Sequence, residues 1–143
     1  MSPHIDQRES EGIVILDLKG PLTLGRGELE LRDRLFALIQ SGKVNIILNL
    51  RDVTHIDTAG LETLVMGLSS LRKAGGKLAL ADLNRSHLRL FLLTKLAIAF
   101  DFFDSEQDAL DSFFPDRALK RFDILEFVQR EDINRGAGAE TAC

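Results

Sequence analysis

Three short apolar runs, each leading into or out of a helical pattern, constrain this chain more than any other feature. Residues 12–18 (Gly-Ile-Val-Ile-Leu-Asp-Leu), 44–50 (Val-Asn-Ile-Ile-Leu-Asn-Leu) and 77–81 (Lys-Leu-Ala-Leu-Ala) are rich in aliphatic side chains. Their length and composition read as strands buried on both faces. Such strands belong inside a parallel sheet, whose neighbours are joined by crossover helices. The helices are legible between them. Leu29, Leu31, Leu35, Phe36, Leu38 and Ile39 follow helical spacing over residues 25–40, and Ser41-Gly42-Lys43 closes that helix. Leu61, Leu64, Val65, Leu68 and Leu71 define a second helix, ended by Arg72-Lys73-Ala74-Gly75-Gly76. Cations in a last turn followed by two glycines make a strong stop.

The flanks complete the pattern. Residues 4–9 read as a polar edge strand, with Ser10-Glu11-Gly12 turning it into a hairpin, and Lys19-Gly20-Pro21 is expected to stop the second strand. Residues 85–94, with Leu88, Phe91 and Leu92, read as a helix whose Arg85, His87 and Arg89 face solvent. Residues 100–103 form a brief strand. Ser105-Glu106-Gln107-Asp108 then opens a helix running through Ala109, Leu110 and Phe113 to Pro115. The order β-β-α-β-α-β-α-β-α predicts an α/β fold: a single domain with a mostly parallel central sheet and helices packed against it. Residues 117–130, with Leu119, Phe122, Leu125 and Val128, are expected to add a C-terminal helix, and residues 136–143 a disordered tail. The expected division is 1–116 for the domain and 117–143 for the extension.

Composition narrows the function. At 143 residues the chain suits one domain with its own core, and a net charge of −4 without basic clusters argues against a nucleic-acid partner. The single cysteine, Cys143, permits neither an intrachain disulfide nor a cysteine-based metal site. No apolar stretch is long enough to span a bilayer, and residues 1–6 lack the features of a signal peptide, so no direct membrane insertion and a cytoplasmic location are expected. Eight of the nine phenylalanines lie after residue 90, Trp and Tyr are absent, and these rings, Phe102 and Phe103 included, read as core.

Catalytic signatures are missing. There is no phosphate-binding Gly-rich loop of either common spacing and no Gly-x-Ser-x-Gly elbow. His55 and Asp57 stand two apart, the spacing of neighbours on one side of an extended segment, but no nucleophile accompanies them. No catalytic residue, cofactor or metal is therefore assigned. The junction at residues 49–61 is different. An apolar run is followed by Ile56-Asp57-Thr58-Ala59-Gly60-Leu61, which places a hydroxyl at the mouth of a helix. Thr58 reads as the N-cap, its oxygen accepting from the N–H of Gly60 or Leu61, and Asp57 as a neighbour that would repel a phosphate there or orient the hydroxyl. As a phosphothreonine it would carry about −1.5 to −2 charge where unpaired N–H groups and the helix dipole favour an anion. Ala59 and Gly60 are small enough to let a partner approach.

This segment resembles the Asp-Ser/Thr-small-Gly-Leu signature of STAS domains, above all the bacterial anti-sigma factor antagonists. Gly20-Pro21-Leu22, the passage Leu71-Arg72-Lys73-Ala74-Gly75-Gly76-Lys77-Leu78, and residues 96–110 fall in the family's order, so the likeness covers residues 5–114. The resemblance implies a non-catalytic partner-switching module in transcription regulation and stress response. Thr58 would be its phosphorylation site, and Asp57, Thr58, Ala59, Gly60 and Leu61 would bind the partner. That partner would be an anti-sigma factor serine/threonine kinase, with a phosphatase resetting the cycle and a homodimer as a further assembly. Two departures are visible: Thr replaces the commoner Ser, and Ala59 replaces the usual second hydroxyl. The alternative implied by the same family is a STAS subunit of a lipid-transport or stress-signalling scaffold complex, with Thr58 in an interface.

Overall fold

The computed structural model describes residues 3–117. The elements are β1 (His4–Ser10), β2 (Ile13–Leu22), α1 (Arg26–Gln40), β3 (Asn45–Ile56), α2 (Thr58–Lys73), β4 (Lys77–Ala81), α3 (Arg85–Leu93), β5 (Asp101–Phe103) and α4 (Glu106–Asp111). The five strands lie in sequence order in one sheet. β1 runs antiparallel to β2, and every other pair is parallel. This is the mostly parallel α/β sheet expected from the sequence. Glu11 and Gly12, at φ 53° and 82°, make the two-residue turn of the β1–β2 hairpin.

The strands' alternation divides the core. Val14, Leu16, Ile46, Leu48, Leu78 and Leu80 face one side, where Leu31, Leu35, Leu64, Leu71 and Phe91 of the longer helices cover them. Phe91 packs edge-to-face on Phe100 and Phe102, with ring centroids 5.5 and 5.3 Å apart. The other side is thinner: Ile15, Ile47, Ala79, Ala81 and Phe103 pack under Ala109 and Leu110. Phe102 and Phe103 are thus both buried, on opposite faces. The Lys77 ammonium lies 4.7 Å from the Phe113 ring centroid and 2.8 Å from Ser112 Oγ, and the Arg117 guanidinium stacks 4.2 Å over Phe114. These contacts hold residues 112–117 against the thin face. The expected helix at 117–130 and the tail lie outside the described residues.

Two strands run further than the sequence pattern shows. β2 does not stop at Lys19-Gly20-Pro21 but continues to Leu22, with register shifts at Asp17/Lys19 and Gly20/Pro21. Such irregularities let a strand accommodate a proline that cannot donate to the ladder. β3 extends past Leu50 to Ile56, so His55 sits on a strand end rather than in a loop. β4 ends at Ala81 opposite Asn49, and β2 and β3 therefore overhang the sheet together. α4 is also shorter than expected, ending at Asp111.

Candidate functional site

The overhang of β2 and β3 is where the mouths of α1 and α2 converge. Gly27 and Gly60 lie so close to the end of β2 that a Cβ would fall 2.2 Å from the Pro21 oxygen and 2.1 Å from the Leu22 oxygen, respectively. No side chain larger than hydrogen fits at either position without moving the backbone. The helix mouths are therefore fixed against the overhanging strand by contact of backbone on backbone.

Asp57, rather than Thr58, is the N-cap of α2. Its Oδ1 accepts from Gly60 N at 2.9 Å, while Oδ2 accepts from Leu24 N at 2.9 Å. One carboxylate thereby closes the helix mouth and ties it to the loop after β2. The Leu24 N–H first, and then the Gly60 N–H, hold the Asp57 carboxyl below its ordinary range, because both bonds favour the ionised form. Asp57 is therefore a structural cap and not merely a neighbour of the hydroxyl. The expectation that Thr58 caps the helix is corrected by one position.

Thr58 is consequently the first residue of α2, exposed, and among the described residues its hydroxyl makes no hydrogen bond. Ala59 is half-buried, while Gly60 and Leu61 are buried beneath the helix mouth. The five signature residues thus split into layers: Thr58 outward, Asp57 as the tie, and Gly60 and Leu61 as the seat. Leu24, 78% exposed, is an apolar side chain on the loop that Asp57 fastens. No sequence period marks it, since it stands between a strand and a helix.

Behind the mouth, Thr63 and Glu28 are buried polar residues that join α2 to α1. Thr63 Oγ1 donates to Glu28 Oε1 at 3.3 Å, and Glu28 also pairs with Arg32. On the other side, His87 is not on a solvated helix face. It is 8% exposed, and burial lowers its pKa from the ordinary value. The Thr54 backbone works against that shift, and Nδ1 has no hydrogen-bond partner among the described residues. A His four residues before Phe91 shares its helix face, a spacing that could have identified it in the sequence.

His55 and Asp57 are not joined by a hydrogen bond among the described residues, and the Asp57 carboxylate is already occupied by two N–H donors. Among the described residues no group of three or more His, Cys, Asp or Glu is placed to hold a metal ion. No described helix is long and apolar enough to cross a membrane.

Comparison with known proteins bears on the fold and the family. Residues 4–109 match the family described as the STAS domain. The anti-sigma-B factor antagonist of Bacillus subtilis is 28% identical over 96 residues, 67% of this chain and 86% of that protein. A candidate anti-sigma factor antagonist from Thermotoga maritima superposes with a TM-score of 0.71 at 26% identity, covering 76% of this chain and 92% of the other. The phosphorylated form of the Bacillus cell fate determinant SpoIIAA superposes with a TM-score of 0.61 at 18% identity, over 77% of this chain and 99% of that one. At that identity the likeness is one of fold.

Proposed function

The chain belongs to the STAS domain family, and from that premise we propose that it is an anti-sigma factor antagonist: a binding module whose partner choice is set by phosphorylation of Thr58. The observation that carries this reading is the division of labour at the helix mouth. Asp57 does the capping, so the Thr58 hydroxyl is exposed and unbonded and can be modified without removing a bond the fold needs. A phosphate there would add about two negative charges at a helix N-terminus, where the dipole favours them. A partner seated over Thr58 and Leu24 would meet that charge directly. The partner in this reading is an anti-sigma factor with serine/threonine kinase activity that modifies the surface it binds, with a phosphatase restoring the hydroxyl. In this reading the chain binds and is modified, while the kinase and the phosphatase supply the chemistry. The domain would span residues 1–116.

The test is capture of partners on tagged wild type, Thr58→Ala and Thr58→Glu, followed by incubation of the captured kinase with ATP. A kinase retained by wild type and Thr58→Ala, lost with Thr58→Glu and transferring phosphate only where Thr58 is present supports the reading. Equal retention by all three would overturn it.

A second reading rests on the outer face of α1 and α2. Phe36 is 64% and Met66 37% exposed, and they flank a groove of about 210 Å³ with Leu35 and Ile39. A face of that kind suits a permanent neighbour in a transport or stress-signalling scaffold complex. In that case Thr58→Glu would leave the assembly intact, while Phe36→Ser would dissolve it.

A further inference from the structure

A second cluster lies at the same end of the sheet, on the opposite edge of β3. β4 stops at Ala81, opposite Asn49 of β3 and Phe103 of β5. Immediately beyond that line the three strands deliver Arg51, Asp82 and Asp104, and the start of α3 brings Arg85. These four charged residues surround a cavity of about 170 Å³ whose apolar lining includes Leu88 and Phe102.

Three of these charges differ from the paired ones elsewhere on the sheet. Arg8, Glu9, Glu11, Asp17 and Lys43 are all held in ion pairs. By contrast, the side chains of Arg51, Asp82 and Asp104 make no hydrogen bond or ion pair among the described residues, while Arg85 has an interaction of its own. Asp82 is also held at φ 55°, its N–H donating to the Phe103 oxygen at 3.1 Å. Left-handed backbone at a residue other than glycine carries strain, and strain of this kind gathers at functional sites. Burial raises the Asp82 carboxyl above its ordinary range; Arg51 opposes the shift, and Glu106 and Asp104 add to it. Asp82 is half-buried beside the cavity without a side-chain hydrogen bond, a group that a ligand can satisfy, while Arg51, Arg85 and Asp104 are exposed at its rim.

The geometry points to a binding site for a small zwitterion, with its carboxylate toward Arg51 and Arg85 and its ammonium toward Asp82 and Asp104. A simple anion would face the two aspartates, and a simple cation the two arginines. A molecule with one charge of each sign meets both, and the guanidinium fork is shaped for a carboxylate. A cavity of about 170 Å³ has room for a short amino acid. The site is separate from Thr58 and does not depend on the function proposed for it.

The experiment is an amide NMR titration of the full ¹⁵N-labelled chain with L-alanine and γ-aminobutyrate. Acetate, methylammonium and inorganic phosphate serve as single-charge probes. A zwitterion should shift the amides of Arg51, Asp82, Leu83 and Asp104 and bind at least tenfold tighter than acetate or methylammonium. Arg51→Gln and Asp82→Asn should each weaken binding tenfold or more, and Thr58→Ala should not. Asn tolerates the left-handed region, so Asp82→Asn keeps the backbone, and unchanged spectra away from the cavity verify it. Acetate or phosphate binding as tightly as the zwitterions would make this an anion site and overturn the proposal. Absence of shifts at these residues with every probe, or shifts confined to other parts of the chain, would overturn it as well.

Discussion

Replacing Asp57 and Thr58 one at a time separates the tie from the switch. Asp57→Ala removes two backbone bonds, to Gly60 N and Leu24 N, both 2.9 Å. Loss of a helix N-cap costs about 1 kcal/mol. The second bond, to a charged acceptor at a half-exposed position, adds about 1 kcal/mol, at or below the low end for such bonds. The expected loss is about 2 kcal/mol, or roughly 6–10 °C in Tm for a domain of this size. Asp57→Asn keeps a side-chain oxygen for the cap but has only one, so it should lose about half as much. Thr58→Ala, at an exposed residue whose hydroxyl makes no bond, should stay within about 0.5 kcal/mol of wild type. Because the chain has no Trp or Tyr, urea unfolding is best followed by far-UV circular dichroism. The sign with pH follows from the lowered Asp57 pKa. Its contribution is complete above the ordinary value of 3.8 and disappears as pH falls through the depressed folded value. The gap between wild type and Asp57→Ala should therefore close only in strong acid. If Thr58→Ala cost as much as Asp57→Ala, the assignment of cap and acceptor would be wrong.

Three further outcomes follow from the packing around the site. Gly60→Ala would place a Cβ 2.1 Å from the Leu22 oxygen, and a loss above about 3 kcal/mol is expected in the same unfolding assay. His87 has a lowered pKa when folded, so stability should fall as pH drops below 6.5, and a pH series of denaturation midpoints should show this slope flattened in His87→Leu. Thr63→Val removes the buried hydroxyl bonded to Glu28 and should cost about 1 kcal/mol, measurable as a lower urea midpoint at unchanged slope.

The order of strands and helices was legible because each buried run and each helix stripe carries its own period. What escaped was decided by contacts between elements. Beyond Leu50 the apolar alternation of β3 fades, with Val53 the only fully buried residue of positions 51–56, because β4 no longer pairs there. Asp57 and Thr58 are both good capping residues in sequence. The choice between them depends on the Asp57 side chain reaching Gly60 and Leu24 together, a contact across 33 positions that no local pattern records. The exposed hydroxyl proposed as the acceptor was nevertheless marked in the sequence, since small residues and the start of the helical stripe bracket it. His87 was misplaced because its charged neighbours Arg85 and Arg89 outweighed its spacing to Phe91.

The overhang explains why the two candidate sites can coexist on so small a domain. Had β2 and β3 ended level with β4, the mouth of α2 would lie against the sheet, and a phosphate on Thr58 would compete with packing. Seven residues of β3 instead run past Asn49, paired to β2 on one edge only. On that paired edge Gly27 and Gly60 seat the helices and leave Thr58 outside. The opposite edge has no strand to satisfy it. His87 is buried beside Thr54 there, while Arg51 projects beyond the end of β4 beside Asp82 and Asp104. Both sites therefore use the same stretch of β3 from opposite edges, and any coupling between them must pass through residues 51–57. The Asp57 bonds to Gly60 and Leu24 are the contacts that would carry it.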